Sequence, residues 1–137
     1  HGCVLVGSAV RCWGANEHGQ LGTGDTTDAR TPTPGLWEPA DSIYPGRAHT
    51  CAKIPGTGLR CVGSNQYGQL GDGSTDDRVR PVSVGSFSRA AITSITAGRE
   101  HTCLIESGNV WCWGRNDAGQ LGDGTRMQHA FPTRAAF

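Results

Sequence analysis

The stretch Cys112–Pro132, which reads CWGRNDAGQLGDGTRMQHAFP, occurs in three versions along the chain. When Cys112 is aligned with Cys12 and Cys61, every copy has a glycine two positions later, an asparagine four positions later and a Gly-Gln-Leu-Gly run starting seven positions later. The copies lie 49 and then 51 residues apart, and a period near fifty indicates a repeat architecture. The repeated runs, which we expect to be structural, are Gly19, Gln20, Leu21 and Gly22; Gly68, Gln69, Leu70 and Gly71; and Gly119, Gln120, Leu121 and Gly122.

The composition favours short strands joined by turns over helices. The 137 residues include 21 glycines and 7 prolines, which recur with the repeat. A segment with so many glycines does not hold a helix, so each Gly-Gln-Leu-Gly run predicts a tight loop with its leucine as the buried anchor. We therefore expect an all-β fold.

The six cysteines form three pairs, and each pair is centred on a predicted turn. Cys3 and Cys12 are equidistant from Gly7-Ser8. Counting outward from a two-residue turn makes the cysteines the fourth pair, which is not hydrogen-bonded and brings the two backbones closest together. A disulfide is feasible at that distance. The other predicted pairs are Cys103 with Cys112 about Ser107-Gly108, and Cys51 with Cys61 about a three-residue turn with a bulge at Pro55-Gly56-Thr57.

Two alternatives to disulfides are buried free thiols and a zinc site. Free thiols would recur because the repeat recurs, but packing alone does not explain why each cysteine faces another. Zinc is suggested by His49 and His101, each of which lies two residues before a cysteine. The paired cysteines are separated by eight or nine residues, however, whereas zinc ligands usually follow a Cys-x2–4-Cys spacing. Disulfides in turn predict an oxidising compartment: secreted, periplasmic or cell-surface.

The segments between the copies differ in length and content, so they are the expected sites of specificity. These segments are 35–41 and 83–91. The candidate partner-binding residues are Trp37, in the first of them, and Tyr67, beside the second glycine run. Two segments before the His-Thr-Cys sequences, 42–46 and 94–98, are predicted to be innermost strands because their small residues suit a crowded centre.

The third copy closely resembles the repeat of the regulator-of-chromosome-condensation family. The resemblance lies in Ala97-Gly98-Arg99-Glu100-His101-Thr102-Cys103, in Trp113-Gly114-Arg115-Asn116, and in Gly119-Gln120-Leu121-Gly122-Asp123-Gly124-Thr125. It recurs three times and covers essentially the whole chain. The cysteine pairs resemble those of an extracytoplasmic bacterial branch of the family and not those of the nuclear exchange factor.

The resemblance implies a β-propeller, usually seven-bladed, with a four-stranded sheet of about fifty residues in each blade. We divide the chain into repeats at 1–41, 42–93 and 94–137, the first of which lacks its innermost strand. Three copies do not close a seven-membered ring, and open ends would leave unpaired strand edges. We therefore expect a segment that is completed by more of the same polypeptide or by other subunits.

No catalytic, cofactor or metal site is predicted. His49 and His101 recur at equivalent positions, which favours a structural role such as bonding to a neighbouring blade. No nucleophile-elbow motif surrounds a serine, and the glycine runs lack the Gly-Lys-Ser/Thr ending of a phosphate loop. The segment Asp72–Asp77 offers oxygen atoms for calcium, but it lacks the spaced ligand set and distal glutamate of a calcium loop, so a solvated loop is expected.

The charge and the hydropathy argue against two classes of partner. Twelve basic and twelve acidic residues give a formal net charge of zero, and Lys53 is the only lysine. Tight nucleic-acid binding needs several cationic side chains on one face, so it is not expected. No apolar run approaches the length of about 20 residues that spans a bilayer, so no membrane span is expected.

These observations predict a non-enzymatic, extracytoplasmic propeller segment that acts as a protein-interaction or structural scaffold module. One alternative is a secreted enzyme inhibitor, which differs only in the identity of its partner. Another is guanine-nucleotide exchange on a small GTPase, which the cysteine pairs disfavour because nuclear and cytosolic proteins rarely keep disulfides. A fold by itself does not identify the partner.

Overall fold

A computed structural model describes residues 1–137, apart from the side chain of Arg89, as three antiparallel sheets. The first sheet has three strands, β1 (Gly2–Val6), β2 (Ala9–Gly14) and β3 (Ala29–Pro34). The second has four, β4 (Ser42–Pro45), β5 (His49–Ile54), β6 (Gly58–Gly63) and β7 (Arg78–Ser83). The third also has four, β8 (Ile92–Ala97), β9 (His101–Glu106), β10 (Asn109–Gly114) and β11 (His129–Arg134), and a short 3-10 turn, Arg89–Ala91, precedes it.

The strand order within each sheet follows the chain. Neighbouring strands in sequence are neighbours in space, as expected for propeller blades. The all-β prediction is confirmed, and β4 and β8 lie at the sheet edges where the innermost strands were predicted. Strand β8 begins at Ile92, two residues before the predicted innermost strand 94–98. The division of the chain at residues 41 and 93 stays a prediction.

The hairpins have the register that the cysteine spacing predicts. Cys3 is opposite Cys12, and a disulfide joins them with their Cα atoms 4.1 Å apart. In the second sheet Cys51 is bridged to Cys61 across the three-residue turn. In the third, Cys103 is bridged to Cys112. The predicted pairing is therefore the pairing in the structure, and the described residues include no free cysteine.

The first and third hairpins close with different turns. Gly7, at the first position of its turn, has a φ of 62°. In the third hairpin, both Ser107 and Gly108 have positive φ, at 50° and 77°. A two-residue turn with two positive φ values matches the right-handed twist of the strands, but serine is not a favoured residue there.

The hydrophobic core lies between the sheets and not within any one of them. A first cluster joins the first and second sheets through Val10, Cys12, Leu21, Ala40, Ala52 and Ile54. A second joins the second and third sheets through Cys51, Leu59, Cys61, Leu70, Val84, Ile92, Ile95, Leu104 and Trp113. Because each cluster needs side chains from two blades, the stability of a blade depends on its neighbour.

Candidate interaction surface

The loops at one end of the sheets make up a region that we call the loop end. It comprises residues 15–28, 46–48, 64–77, 98–100 and 115–128, which connect the first strand of a blade to the second or the third to the fourth. The opposite hairpin end carries the tight turns and the connections between blades. The three repeats therefore present equivalent loops side by side at the loop end.

A buried asparagine organises each long loop. Asn65 is fully buried, and its side-chain amide donates to the carbonyl oxygens of Ser74 and Asp76 at 3.1 and 2.9 Å. Its side-chain oxygen accepts the backbone N–H of Leu70 at 3.0 Å. Because one side chain satisfies several backbone groups, the loop is fixed without any regular secondary structure. The equivalent asparagines, with the same kinds of bond, are Asn16 and Asn116.

The segment Asp72–Asp77, whose oxygen atoms could suit calcium, is held by hydrogen bonds to other protein groups. One carboxylate oxygen of Asp72 accepts bonds from the backbone and the hydroxyl of Ser74, at 2.9 and 2.8 Å, and the other accepts Arg78 Nε at 2.9 Å. Burial raises the pKa of Asp72, but the bonds from Ser74 and Arg78 outweigh it and lower that pKa overall. The described residues contain no group of three side chains that could hold a metal ion.

A His–Thr–Gln chain of hydrogen bonds joins adjacent blades below the loop end. Thr102 in the third sheet donates its hydroxyl proton to the backbone oxygen of Gln69 at 2.9 Å. That hydroxyl has a single proton, so it must accept from His49 Nε2, which lies 2.9 Å away in the second sheet. His49 therefore carries a proton on Nε2. The equivalent bonds between the first and second sheets join His1, Thr50 and Gln20.

The surroundings of His49 disfavour its charged form. The residue is fully buried, and its Nδ1 has no hydrogen-bond partner. Burial, together with repulsion from His101, lowers the pKa of His49 to about 4. Burial also lowers the pKa of His101. The predicted structural role of His49 agrees with this environment, although its partner is a threonine hydroxyl and not a backbone group.

An indole ring closes the junction between the second and third blades. Trp113 is completely buried and donates its Nε1–H to the backbone oxygen of Gln69 at 2.9 Å. The ring lies so close to Gly71 that a Cβ there would come within 2.6 Å of Nε1. The second glycine of the Gly-Gln-Leu-Gly run therefore makes room for the tryptophan of the next blade.

The first junction obtains its indole from a different part of the sequence. Val62 occupies the position of Trp113 in the second blade, and a valine cannot reach the preceding loop. Trp37, in the connection between the blades, fills the space and donates to the backbone oxygen of Leu21 at 3.1 Å. A Cβ at Gly22 would lie 2.6 Å from its Nε1, the same separation as in the other junction. Trp37 thus replaces the missing tryptophan.

At the loop end, three arginines surround one carboxylate. Arg115 bonds to Glu100 Oε2 at 2.5 Å, whereas Arg47 and Arg99 lie 3.7 and 3.9 Å from Oε1. Arg115 also bonds to Asp117 at 2.5 Å and lies 5.0 Å from the centre of the Tyr67 ring. Hydrogen bonds to Asp117 and Glu100 raise the pKa of Arg115, which therefore stays fully charged.

A depression of about 210 Å³ lies among these groups, and we call it the arginine recess. Its lining includes Glu17, Gln20, Arg47, Gln66, Arg99 and Glu100. The recess is polar and opens between adjacent blades. It can accept a small charged or hydrogen-bonding group of a partner, but the described residues around it do not form a nucleophile, a base and an oxyanion site.

The two predicted partner-binding residues occupy different environments. Tyr67 is at the loop end beneath Arg115 and close to the recess. Trp37 lies in the connection between the first two blades, and its side chain is partly exposed and packed against the first core cluster. A partner-binding role for either stays a prediction. Sequence reasoning missed Arg47 and Arg99, although the repeated Gly-Arg-x-His sequence that carries them was a usable signal.

The chain matches the sequence model of a repeat family over most of its length. The model for the Regulator of chromosome condensation (RCC1) repeat matches residues 9–52, 61–105 and 107–137, and a second model of the same description matches residues 92–120. None of the described residues belongs to a helix with the length and hydrophobicity needed to span a membrane.

Two curated relatives are about one third identical to the chain. The ultraviolet-B receptor UVR8 of Arabidopsis thaliana is 34% identical over 129 residues, covering 91% of this chain and 29% of the receptor. The probable E3 ubiquitin-protein ligase HERC4 of Homo sapiens is 33% identical over 140 residues, covering 96% of this chain and 13% of the ligase. The chain therefore spans less than a third of the length of these relatives.

Solved structures show the same fold at lower sequence identity. Yeast RCC1 (Prp20), in a complex with Kap60, superimposes with a TM-score of 0.81 at 20% identity, over 94% of this chain and 33% of that protein. Human WBSCR16 superimposes with a TM-score of 0.77 at 22% identity, over 96% and 34%. Another structure of Prp20p, from Saccharomyces cerevisiae, was described with its binding properties to Gsp1p and histones.

Proposed function

Because the chain belongs to the Regulator of chromosome condensation (RCC1) repeat family, we propose that it is a non-enzymatic segment of an extracytoplasmic β-propeller whose loop end binds a protein partner. Further blades, up to the seven usual for the family, come from the same polypeptide or from other subunits. In this proposal the blades are a rigid scaffold, and the loops carry the recognition.

The observation that carries the proposal is the fixed arrangement of the loops of adjacent blades. Buried asparagines hold each loop, and His–Thr–Gln bonds hold each blade against the next. The side chains that project from this framework are polar and accessible: those of Arg47 and Arg99 are 58% and 68% exposed. A preorganised surface of this kind loses little entropy when it binds a partner.

The disulfides support the extracytoplasmic part of the proposal. Cys51 and Cys61 are completely buried, and equivalent bridges occur in all three sheets. Structural disulfides persist in oxidising compartments and are rare in the cytosol and nucleus. The same argument weighs against nucleotide exchange on a small GTPase. Inhibition of a secreted enzyme remains compatible, because it requires only that the partner be an enzyme.

The relatives are compatible with a partner-binding role. Prp20p is described with its binding to Gsp1p and histones, and yeast RCC1 was crystallised bound to Kap60. We carry over only the class of partner, a protein, because sequence identity to these structures is too low to transfer a binding site.

Site-specific photo-cross-linking in the native host tests the proposal. A benzophenone amino acid replaces Gln66, which is exposed at the loop end, in the full-length protein. The control replaces Val6, which is 65% exposed at the hairpin end of β1. We expect a discrete protein adduct from position 66 and none from position 6. Adducts of equal yield from both positions, or none from position 66, would contradict the proposed loop-end interface.

A further inference from the structure

We propose that the arginine recess receives a carboxylate side chain, an aspartate or a glutamate, from the protein partner. The inference rests on the proposed function and adds the chemistry of the partner's anchoring group. It follows from three properties of the recess: arginines without hydrogen-bond partners, an unpaired amide donor, and a nearly balanced charge that does not favour a polyanion.

The first property is the availability of Arg47 and Arg99. Their closest acidic atom is Glu100 Oε1, at 3.7 and 3.9 Å, and both distances are too long for a hydrogen bond. Within the described part of the chain, neither guanidinium group makes a side-chain hydrogen bond. Glu100 instead bonds to Arg115 through its other oxygen. Two guanidinium groups are therefore held near each other with their planar donor edges free, and such edges match a carboxylate.

The second property is a free amide donor in the wall of the recess. The side-chain oxygen of Gln20 accepts the backbone N–H of His18 at 2.9 Å, which fixes the amide orientation because an N–H can donate only to the oxygen. In the next blade the equivalent Gln69 donates its Nε2–H to Ser64 at 3.2 Å. Ala15 stands where Ser64 would be, so Gln20 Nε2 has no partner among the described residues, although the residue is only 2% exposed.

The third property is the balance of charge around the recess. Arg115 is shared between Glu100 and Asp117, which leaves Arg47 and Arg99 as the cations that face a ligand. Glu17 stands on the wall contributed by the first blade. Glu17 and Glu100 repel any anion in proportion to its charge, so the nearly neutral lining gives little attraction for a polyanion. A carboxylate is bound instead by the fit of its two oxygens to the planar edge of a guanidinium group.

Nuclear magnetic resonance of arginine and glutamine side chains tests the inference. The full-length protein, labelled with nitrogen-15, is titrated with an acetylated and amidated Gly-Glu-Gly peptide. The matched probe is Gly-Gln-Gly, and inorganic phosphate is added at equal ionic strength as the third arm. We expect saturable shifts of the Nε–H signals of Arg47 and Arg99 and of the Gln20 amide with the glutamate peptide only.

Two variants and a control establish the role of the arginines. Arg47→Glu should weaken peptide binding at least fivefold, whereas Arg47→Lys should retain part of it because it keeps the charge. Arg126→Glu is the matched control, since Arg126 is exposed on a loop outside the recess and the charge change is the same. Equal shifts with Gly-Gln-Gly, phosphate binding as tight as peptide binding, or unchanged binding by Arg47→Glu would each overturn the inference.

The peptide titration and the photo-cross-linking test the two proposals separately. A protein adduct from position 66 without a specific glutamate response would leave the proposed function standing and overturn the carboxylate inference. A specific glutamate response without an adduct would support the recess as a carboxylate site and refute the proposed interface.

Discussion

Acidification should weaken the junction between the second and third blades, because His49 is buried there as a neutral imidazole. Its Nε2–H donates to Thr102, and its Nδ1 has no partner. Protonation would place a second N–H where the described residues offer no acceptor. The ring also lies against Gly46, where a Cβ would come within 2.8 Å of Nδ1, so the site is closely packed. The closed junction therefore disfavours the charged form.

The pKa of His49 gives the size of the effect. It is about 4 in the folded protein, against 6.5 for an unperturbed histidine. One pKa unit corresponds to about 1.4 kcal/mol, so His49 contributes roughly 3 kcal/mol to the free energy of unfolding while it is neutral. Because the folded-state pKa is the lower one, the contribution is fully present above pH 6.5. It is lost as the pH falls from 6.5 towards 4.

Urea unfolding of the full-length protein at several values between pH 7.5 and pH 4 measures this contribution. The wild type is compared with His49→Gln, and His129→Gln is the control because His129 is partly exposed and bonds to Asp123 at 2.8 Å. We expect the His49→Gln variant to be less stable at pH 7.5 and the difference from wild type to shrink by about 3 kcal/mol at pH 4. A difference that is constant with pH would refute the buried neutral histidine.

Four further predictions concern stability and binding. Replacing Cys51 and Cys61 by alanine should lower the free energy of unfolding by about 2–3 kcal/mol, measured in urea, because the bridge closes a loop of about ten residues; an unchanged curve would contradict this. Trp37→Ala should cost about 3 kcal/mol in the same assay, since the indole fills a blade junction, and a loss below about 1 kcal/mol would show that the junction does not need it. Ser107→Asn should raise the melting temperature, gaining about 0.5 kcal/mol from a residue that tolerates positive φ better; a lower melting temperature would show that the turn is not the one described. Duplex DNA should not bind in fluorescence anisotropy at physiological salt, and a submicromolar, salt-dependent complex would overturn the charge argument.

The hairpins were predictable because strand pairing has a strict period. The distance of Cys3 and Cys12 from a two-residue turn determines which pair they form, and the pair in the structure is the predicted one. The burial of Leu21, Leu70 and Leu121 was predictable for a similar reason, since each is the only large apolar residue in a run of glycines. Local geometry alone decides both features.

The surface at the loop end was less predictable because it is assembled from several blades. Glu100 contacts Arg47 from the preceding blade, and no local sequence pattern indicates that these two positions meet. The role of Trp37 was hidden for the same reason. Its position in a variable connection indicated a surface residue, and only the structure places its ring against the loop that contains Leu21. Long-range packing outweighs local pattern in such cases.

The departures from the repeat differ in whether another residue compensates for them. Val62 removes an indole from the first junction, and Trp37 restores one with the same approach to a glycine and a similar hydrogen bond to the preceding loop. Ala15 removes the hydroxyl that would accept from Gln20, and within the described part of the chain no other group replaces it. Ala15 therefore leaves a donor unpaired in an open recess, where a ligand can reach it, and such departures from local consistency are expected at functional sites. The uncompensated change lies beside Arg47 in the recess, whereas the compensated one lies in the core. This difference favours the recess, and not the Trp37 connection, as the place where a partner binds.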